Sequence, residues 1–239
     1  MSVEKLFPGT KSRMVRYEFG LHAYTLVGGT PSDPEILRKM IKARLKLGDK
    51  ELQVLAAEAL ELTEWRSEEM SSEQLDELTD KLADKIGSVN TFKKVDGELV
   101  YEGRQMKAAI IEAASACYPG SEFPGVRPPG IHGKKGFRSW CIEMIEVLDK
   151  YMPLGKSVPD IEAETRIKHI TGREGPQSVV TMVDIVEDVE FYGTLQIMDD
   201  AIKPQVWREL WDYVCTGGIG ADRARGDGRC ELIKWAKVA

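Results

Sequence analysis

Residues 202–238 constrain the fold most, because they dictate a helix, a glycine-rich turn and a strand in that order. Lys203-Pro204 opens the helix, and Val206, Trp207, Leu210, Trp211 and Val214 form an apolar stripe at helical spacing. Pro204 suits the first turn and Gly217 the C-terminal cap. The run TGGIGADRARGDGRCELIKW, Thr216 to Trp235, then places five glycines and three arginines in twenty residues. Arg229 to Val238 reads as a strand. Glycines at 217, 218, 220, 226 and 228 let successive backbone N–H groups point one way, which makes an anion-binding nest, and the arginine fork suits phosphate. A nucleotide-hydrolase phosphate loop is excluded, since no G-K-[ST] follows and the segment comes after a helix rather than before one. The competing reading is a tight helix-to-strand turn with solvated arginines.

Upstream, Arg13 to Val27 has β-branched and aromatic residues in partial alternation and breaks at Gly28-Gly29-Thr30-Pro31, the pattern of a long first strand. Residues 32–87 then change character. Ile36, Leu37, Met40, Ile41 and Leu45 keep a helical period, as do Leu52, Leu55, Ala56, Ala59 and Leu60, and Leu75, Leu78, Leu82 and Ile86 after the capping pattern SSEQ. Asp96-Gly97 between Lys94-Val95 and Leu99-Val100 is a two-residue hairpin cue. Gln105 to Cys117 reads as a helix with Met106, Ala109, Ile110, Ala113 and Ala114 on one face, small enough to pack closely on a sheet. Tyr118 to Gly136 is Gly/Pro-dense and reads as a loop. In Phe137 to Met152, the alternation of Trp140, Ile142 and Met144 favours a strand. Arg166–Thr171, Ser178–Ile185 and Val189–Met198 are β-branched runs separated by GREGP and by an acidic turn. With the insert set aside, the order is strand, helix, strands, helix, strand. That is the split βαβ plan of an α+β, ferredoxin-like (RRM-like) antiparallel sheet carrying a helical insertion. The expected division is a core of residues 1–31 and 88–239 with an acidic helical insertion at 32–87.

Charge is regional. The net charge is -6, but 16 acidic and 11 basic residues lie between Pro31 and Leu99, so most of the excess belongs to the insert. From Thr216 onward five basic residues face three acidic ones. Cys117, Cys141, Cys215 and Cys230 include no C-x-x-C pair, which indicates neither a zinc site nor a disulfide framework and leaves buried thiols as the expectation. No metal or other cofactor is implied. No apolar run reaches membrane-helix length, and MSVEKLFPGT lacks the apolar middle of a signal peptide, so a cytoplasmic protein without membrane contact is expected.

The run Ile202 to Trp235 resembles the C-terminal signature of the RAMP superfamily, the repeat-associated subunits of CRISPR effector complexes. EGRQMKAAIIEAA, Glu102 to Ala114, resembles the family's segment in which a glycine precedes a basic residue and a sheet-packing helix. The strand ending in Gly28-Gly29 fits the same plan. The resemblance implies an RRM-like fold and binding of single-stranded nucleic acid, RNA rather than DNA, in a divergent or stand-alone member. The insert at 32–87 is not part of the family's common core.

On this reading Gly217, Gly218, Gly220, Arg223, Arg225 and Arg229 contact phosphates, with Arg104 and Lys107 in support and Lys134, Lys135 and Arg138 as a flap over the strand. Tyr17, Phe19, Tyr24, Phe191 and Tyr192 could stack on bases or simply pack. Some RAMP nucleases use a histidine and others a loop aspartate, which makes His22, His132 and Asp33 the catalytic candidates for a metal-independent endoribonuclease. The sequence places no partner group beside His22 or His132. A third reading is an assembly protein that docks through its acidic Leu-rich insert, and self-association or partner subunits of an effector complex fit either binding reading.

Overall fold

In the computed structural model, residues 14–31, 38, 41–42, 72–120, 122–124, 136–172, 175–197 and 202–238 are described. The fold is α+β. The chain divides into two compact units, one of residues 1–26, 93–159 and 186–239 and the other of residues 27–92 and 160–185.

In the larger unit, strand β1 (Val15–Val27) pairs antiparallel with the last strand, β10 (Cys230–Val238), from Arg16↔Val238 to Ala23↔Cys230. The other neighbour of β1 is β9 (Gly175–Ile197), whose final residues pair antiparallel with β6 (Ile145–Val147). Helix α2 (Gly103–Cys117) lies in the chain between β1 and β6, and helix α4 (Pro204–Gly217) between β9 and β10. Numbered by chain position, the four strands lie in the order 4-1-3-2. This is the ferredoxin-like arrangement that the split βαβ plan requires.

Alternation along β1 decides which face is covered. Phe19, Leu21 and Ala23 are fully buried beneath the helices, with Phe19 5.4 Å from Trp211 and Tyr17 6.1 Å from Trp207 between ring centroids. Arg16, Glu18, His22 and Tyr24 occupy the opposite face. The predicted stripes are buried on both helices: Met106, Ala109, Ile110, Ala113 and Ala114 on α2, and Val206, Trp207, Leu210, Trp211 and Val214 on α4. Each large side chain covered in this way contributes about 1.5–3 kcal/mol. The C-cap of α4 is Gly218, one residue later than expected.

The Asp96-Gly97 hairpin joins β4 (Lys93–Val95) to β5 (Glu98–Glu102), both turn residues having positive φ, and β7 (Tyr151–Pro153) completes a second, three-stranded sheet. β5 runs directly into α2 through a capping box made by Glu102 and Gln105. Gly103 is required at this junction, since a Cβ there would lie 2.2 Å from the carbonyl oxygen of Asp149.

Two expectations are corrected here. Residues Phe137–Met144 form a helix, α3, which buries Phe137, Trp140 and Cys141 and leaves Ile142 40% exposed; strand begins at Ile145–Val147 and returns at Tyr151. The spacing of Phe137, Trp140, Cys141 and Met144 is the helical i, i+3, i+4, i+7 and outweighs the alternation. The acidic segment at 187–188 does not end a strand either. β9 runs through it, with Asp188 at φ 53° and Glu187 and Asp188 both exposed between buried Val186 and Val189. Two successive exposed residues and one positive φ break the alternation there, but the strand runs on.

In the smaller unit, helix α1 (Ser72–Lys85) buries Leu75, Leu78 and Leu82, and Ile86, expected to extend it, instead begins β3 (Ile86–Thr91). β3 pairs parallel with the first part of β9 and antiparallel with β2 (Thr30–Pro31), while β8 (Ile161–Gly172) pairs antiparallel with β9. Ile41 is helical and buried, Arg38 binds Asp80 at 2.7 Å, and Lys42 binds Asp76. The other expected helical positions between 36 and 60 lie outside the described residues.

Candidate nucleic-acid interface

The connection from α4 to β10 is tied down by its own backbone. The Ile219 N–H donates to the Gly228 carbonyl at 2.8 Å, the Gly228 N–H to the Thr25 carbonyl on β1 at 2.6 Å, and the Tyr24 N–H to the Arg229 carbonyl at 3.2 Å. Gly220 donates its N–H to the hydroxyl of Tyr101, a buried phenol whose pKa burial raises. Ile219 is itself buried and anchors the loop from below. Glycine is demanded twice over at Gly218 and Gly228. Both have positive φ, and a Cβ would lie 2.6 Å from the Asp227 carbonyl oxygen at Gly218 and 1.9 Å from that of Ile219 at Gly228. At the tip, Arg223–Arg225 form one turn of 3₁₀ helix between Asp222 at φ 55° and Gly226 at φ 95°.

The three arginines have different roles in this frame. Arg223 is 34% exposed and reaches back to α2, donating to the Glu112 carboxylate at 2.8 Å, which raises its pKa. Arg225 and Arg229 are exposed. Arg223 lines an open recess of about 550 Å³ together with Glu112, Tyr213, Gly217, Gly220 and Asp222. Arg104, at the start of α2, donates to Glu102 at 2.6 Å and 3.1 Å; Lys107 is half-buried on the same helix and Arg138 is exposed on α3. Lys134, Lys135, His132 and Asp33 lie outside the described residues.

The aromatic candidates divide by strand face. Tyr17 stacks on Trp235 with centroids 4.6 Å apart, and Phe19 and Phe191 are buried, so these three pack. Tyr24 and Tyr192 are 46% and 51% exposed, Tyr24 on the face of β1 opposite Phe19. Tyr192 lies over Gly20, where a Cβ would come within 2.6 Å of the ring, and donates its hydroxyl to Glu190 at 2.9 Å. Between the two tyrosines, His22 Nε2 meets Asp188 Oδ1 at 2.6 Å, and its ring stands edge-on to Tyr24 at 5.1 Å. Glu18, Asp188, Glu190 and Glu231 make this face acid-rich, with Lys234 bound to Glu18 at 2.6 Å. The sequence conceals both Glu112 and Asp188, because they are 111 and 166 positions from their partners. The only local signal is Asp188 itself, an acidic residue inside a β-branched run.

No family model and no curated protein matches the chain. Among solved structures, the chain is similar to a chain of "Cryo-EM structure of the Type III-B Cmr-beta bound to cognate target RNA", at 12% identity and a TM-score of 0.43 over 95% of its own length. It spans 61% of the length of that chain.

Proposed function

We propose that the protein binds single-stranded nucleic acid, RNA in preference to DNA, by holding backbone phosphates at the loop between α4 and β10. The observation that carries this reading is a backbone-braced loop that presents Arg225 and Arg229 to solvent, with Arg223 pinned to α2 behind them. A braced loop presents its charges without an ordering cost on binding. The preference for RNA comes from the RAMP-like run Ile202 to Trp235. Phosphate contacts position a strand without reading bases, so affinity should fall steeply with salt and vary little among unrelated sequences. Arg225→Ala with Arg229→Ala should reduce the salt slope for single strands by about 1.4, at roughly 0.7 per lost phosphate contact. Fluorescence anisotropy with labelled RNA and DNA oligomers across a salt series tests this. A salt-independent affinity, or one unchanged in the double variant, overturns it.

A second reading attaches to His22. The 2.6 Å contact of Asp188 with His22 supports a general-base role for the imidazole in metal-independent RNA cleavage. Discrete products from labelled RNA in excess chelator, abolished by His22→Ala and reduced by Asp188→Asn, are expected. Their absence removes the nuclease reading while leaving the binding one.

A further inference from the structure

Two of the four cysteines bracket the arginine loop. Cys215 lies in the last turn of α4 and Cys230 is the first residue of β10, so residues 216–229 run from one to the other. Their side chains line one groove of about 520 Å³, together with Trp207, Trp211, Leu232 and Trp235. There the Cys230 thiol donates a hydrogen bond to the Cys215 sulfur, lowering the pKa of Cys215 and, together with burial, raising that of Cys230. Cys215 keeps partial exposure, whereas Cys230 is only 6% exposed. One accessible thiol with a second held against it is the arrangement of an attacking and a resolving cysteine. The other two cysteines differ. Cys117 donates to the Glu209 carbonyl at 3.8 Å and its thiol is pushed up by burial, while the buried Cys141 thiol is pushed up to about 12.

We propose that Cys215 and Cys230 are a redox pair that forms a reversible intramolecular disulfide, closing residues 216–229 into a covalent loop. The oxidant is a small-molecule disulfide, for which oxidised glutathione is the probe. The Cys215 thiolate attacks one glutathione sulfur, making a mixed disulfide and releasing one glutathione thiolate. Cys230 then loses its proton and attacks the Cys215 sulfur, which forms the protein disulfide and expels the second glutathione. Two protein thiols are oxidised and one disulfide is reduced to two thiols.

The test incubates the full chain with oxidised glutathione, alkylates remaining thiols, digests without reductant and maps the peptides by mass spectrometry. The expected product is a Cys215–Cys230 cross-link, with equal loss of these two thiols, retention of Cys117 and Cys141, and reversal by dithiothreitol. Hydrogen exchange of the 218–229 amides should slow on oxidation and recover on reduction. Cys230→Ser should stop at a glutathione adduct on Cys215. Four alkylated thiols, first reaction at Cys117, or a persistent adduct on Cys215 in the unmutated chain would each overturn the proposal. The unmutated chain carries the decisive result, so a poorly folded variant does not blur it. None of these measurements involves nucleic acid, which separates their failure from failure of the binding reading.

Discussion

Gly226 and Gly228 stand two residues apart with φ of 95° and 76°, yet substitution should affect them unequally. A Cβ at Gly226 meets nothing within 4 Å, whereas one at Gly228 collides with the Ile219 carbonyl. Gly226→Ala should cost about 1–2 kcal/mol, the left-handed penalty alone. Gly228→Ala adds a backbone clash and should exceed about 3 kcal/mol, among the large effects tied to strain at a special φ. Urea unfolding of the two variants checks the order, and equal costs would show that the loop does not close through Gly228. Arg223→Ala should cost no more than about 1 kcal/mol, because both it and Glu112 are partly solvated. The glycine positions are legible in sequence because a residue without Cβ announces an unusual backbone by its identity. The tie of Arg223 to α2 is not, because only the fold brings Glu112 to it across 111 positions.

Helix α3 shows how a period can be misread in a short segment. Trp140 and Ile142 look equivalent if residues alternate, but Trp140 stacks against Phe137 at 5.7 Å while Ile142 faces solvent. Trp140→Ala should cost about 3–5 kcal/mol and Ile142→Ala less than about 1 kcal/mol, read from thermal or denaturant unfolding. Helices α2 and α4 were easier to read, since their longer stripes repeat over several turns. A contact from the end of α2 to the middle of α4 adds a pH signature. Tyr118, just past α2, donates its hydroxyl to the Glu209 carboxylate on α4, and this bond, with a second from Gln205, lowers the Glu209 pKa below its ordinary 4.5. A carboxyl lowered in the folded state stabilises the protein above its unfolded pKa, and that contribution is lost as pH falls through the folded one. Tyr118→Phe should therefore reduce stability at neutral pH and flatten the dependence below about pH 4.5, as followed by circular dichroism during acid titration.

Across the whole chain, the ferredoxin-like plan was legible from the alternation of element types, because a strand–helix–strand–strand–helix–strand string has few ways to bury both helices on one sheet face. The passage of β9 from one unit into the other was not, since Glu187-Asp188 has the composition of a turn and only the burial of Val186 and Val189 on either side shows that the strand continues. The pairing of β1 with β10 also bears on how the protein comes into being. Arg16 lies opposite Val238, so β1 leaves the ribosome on the order of 10–40 s before its partner strand exists, at about 5–20 residues per second. The residues of the smaller unit are all present once Ile185 has been made, but the larger unit must wait for its last strand. Until then one edge of β1 has no native partner, and the emerging chain has its greatest exposure to chaperone capture and to mispairing with neighbouring nascent chains.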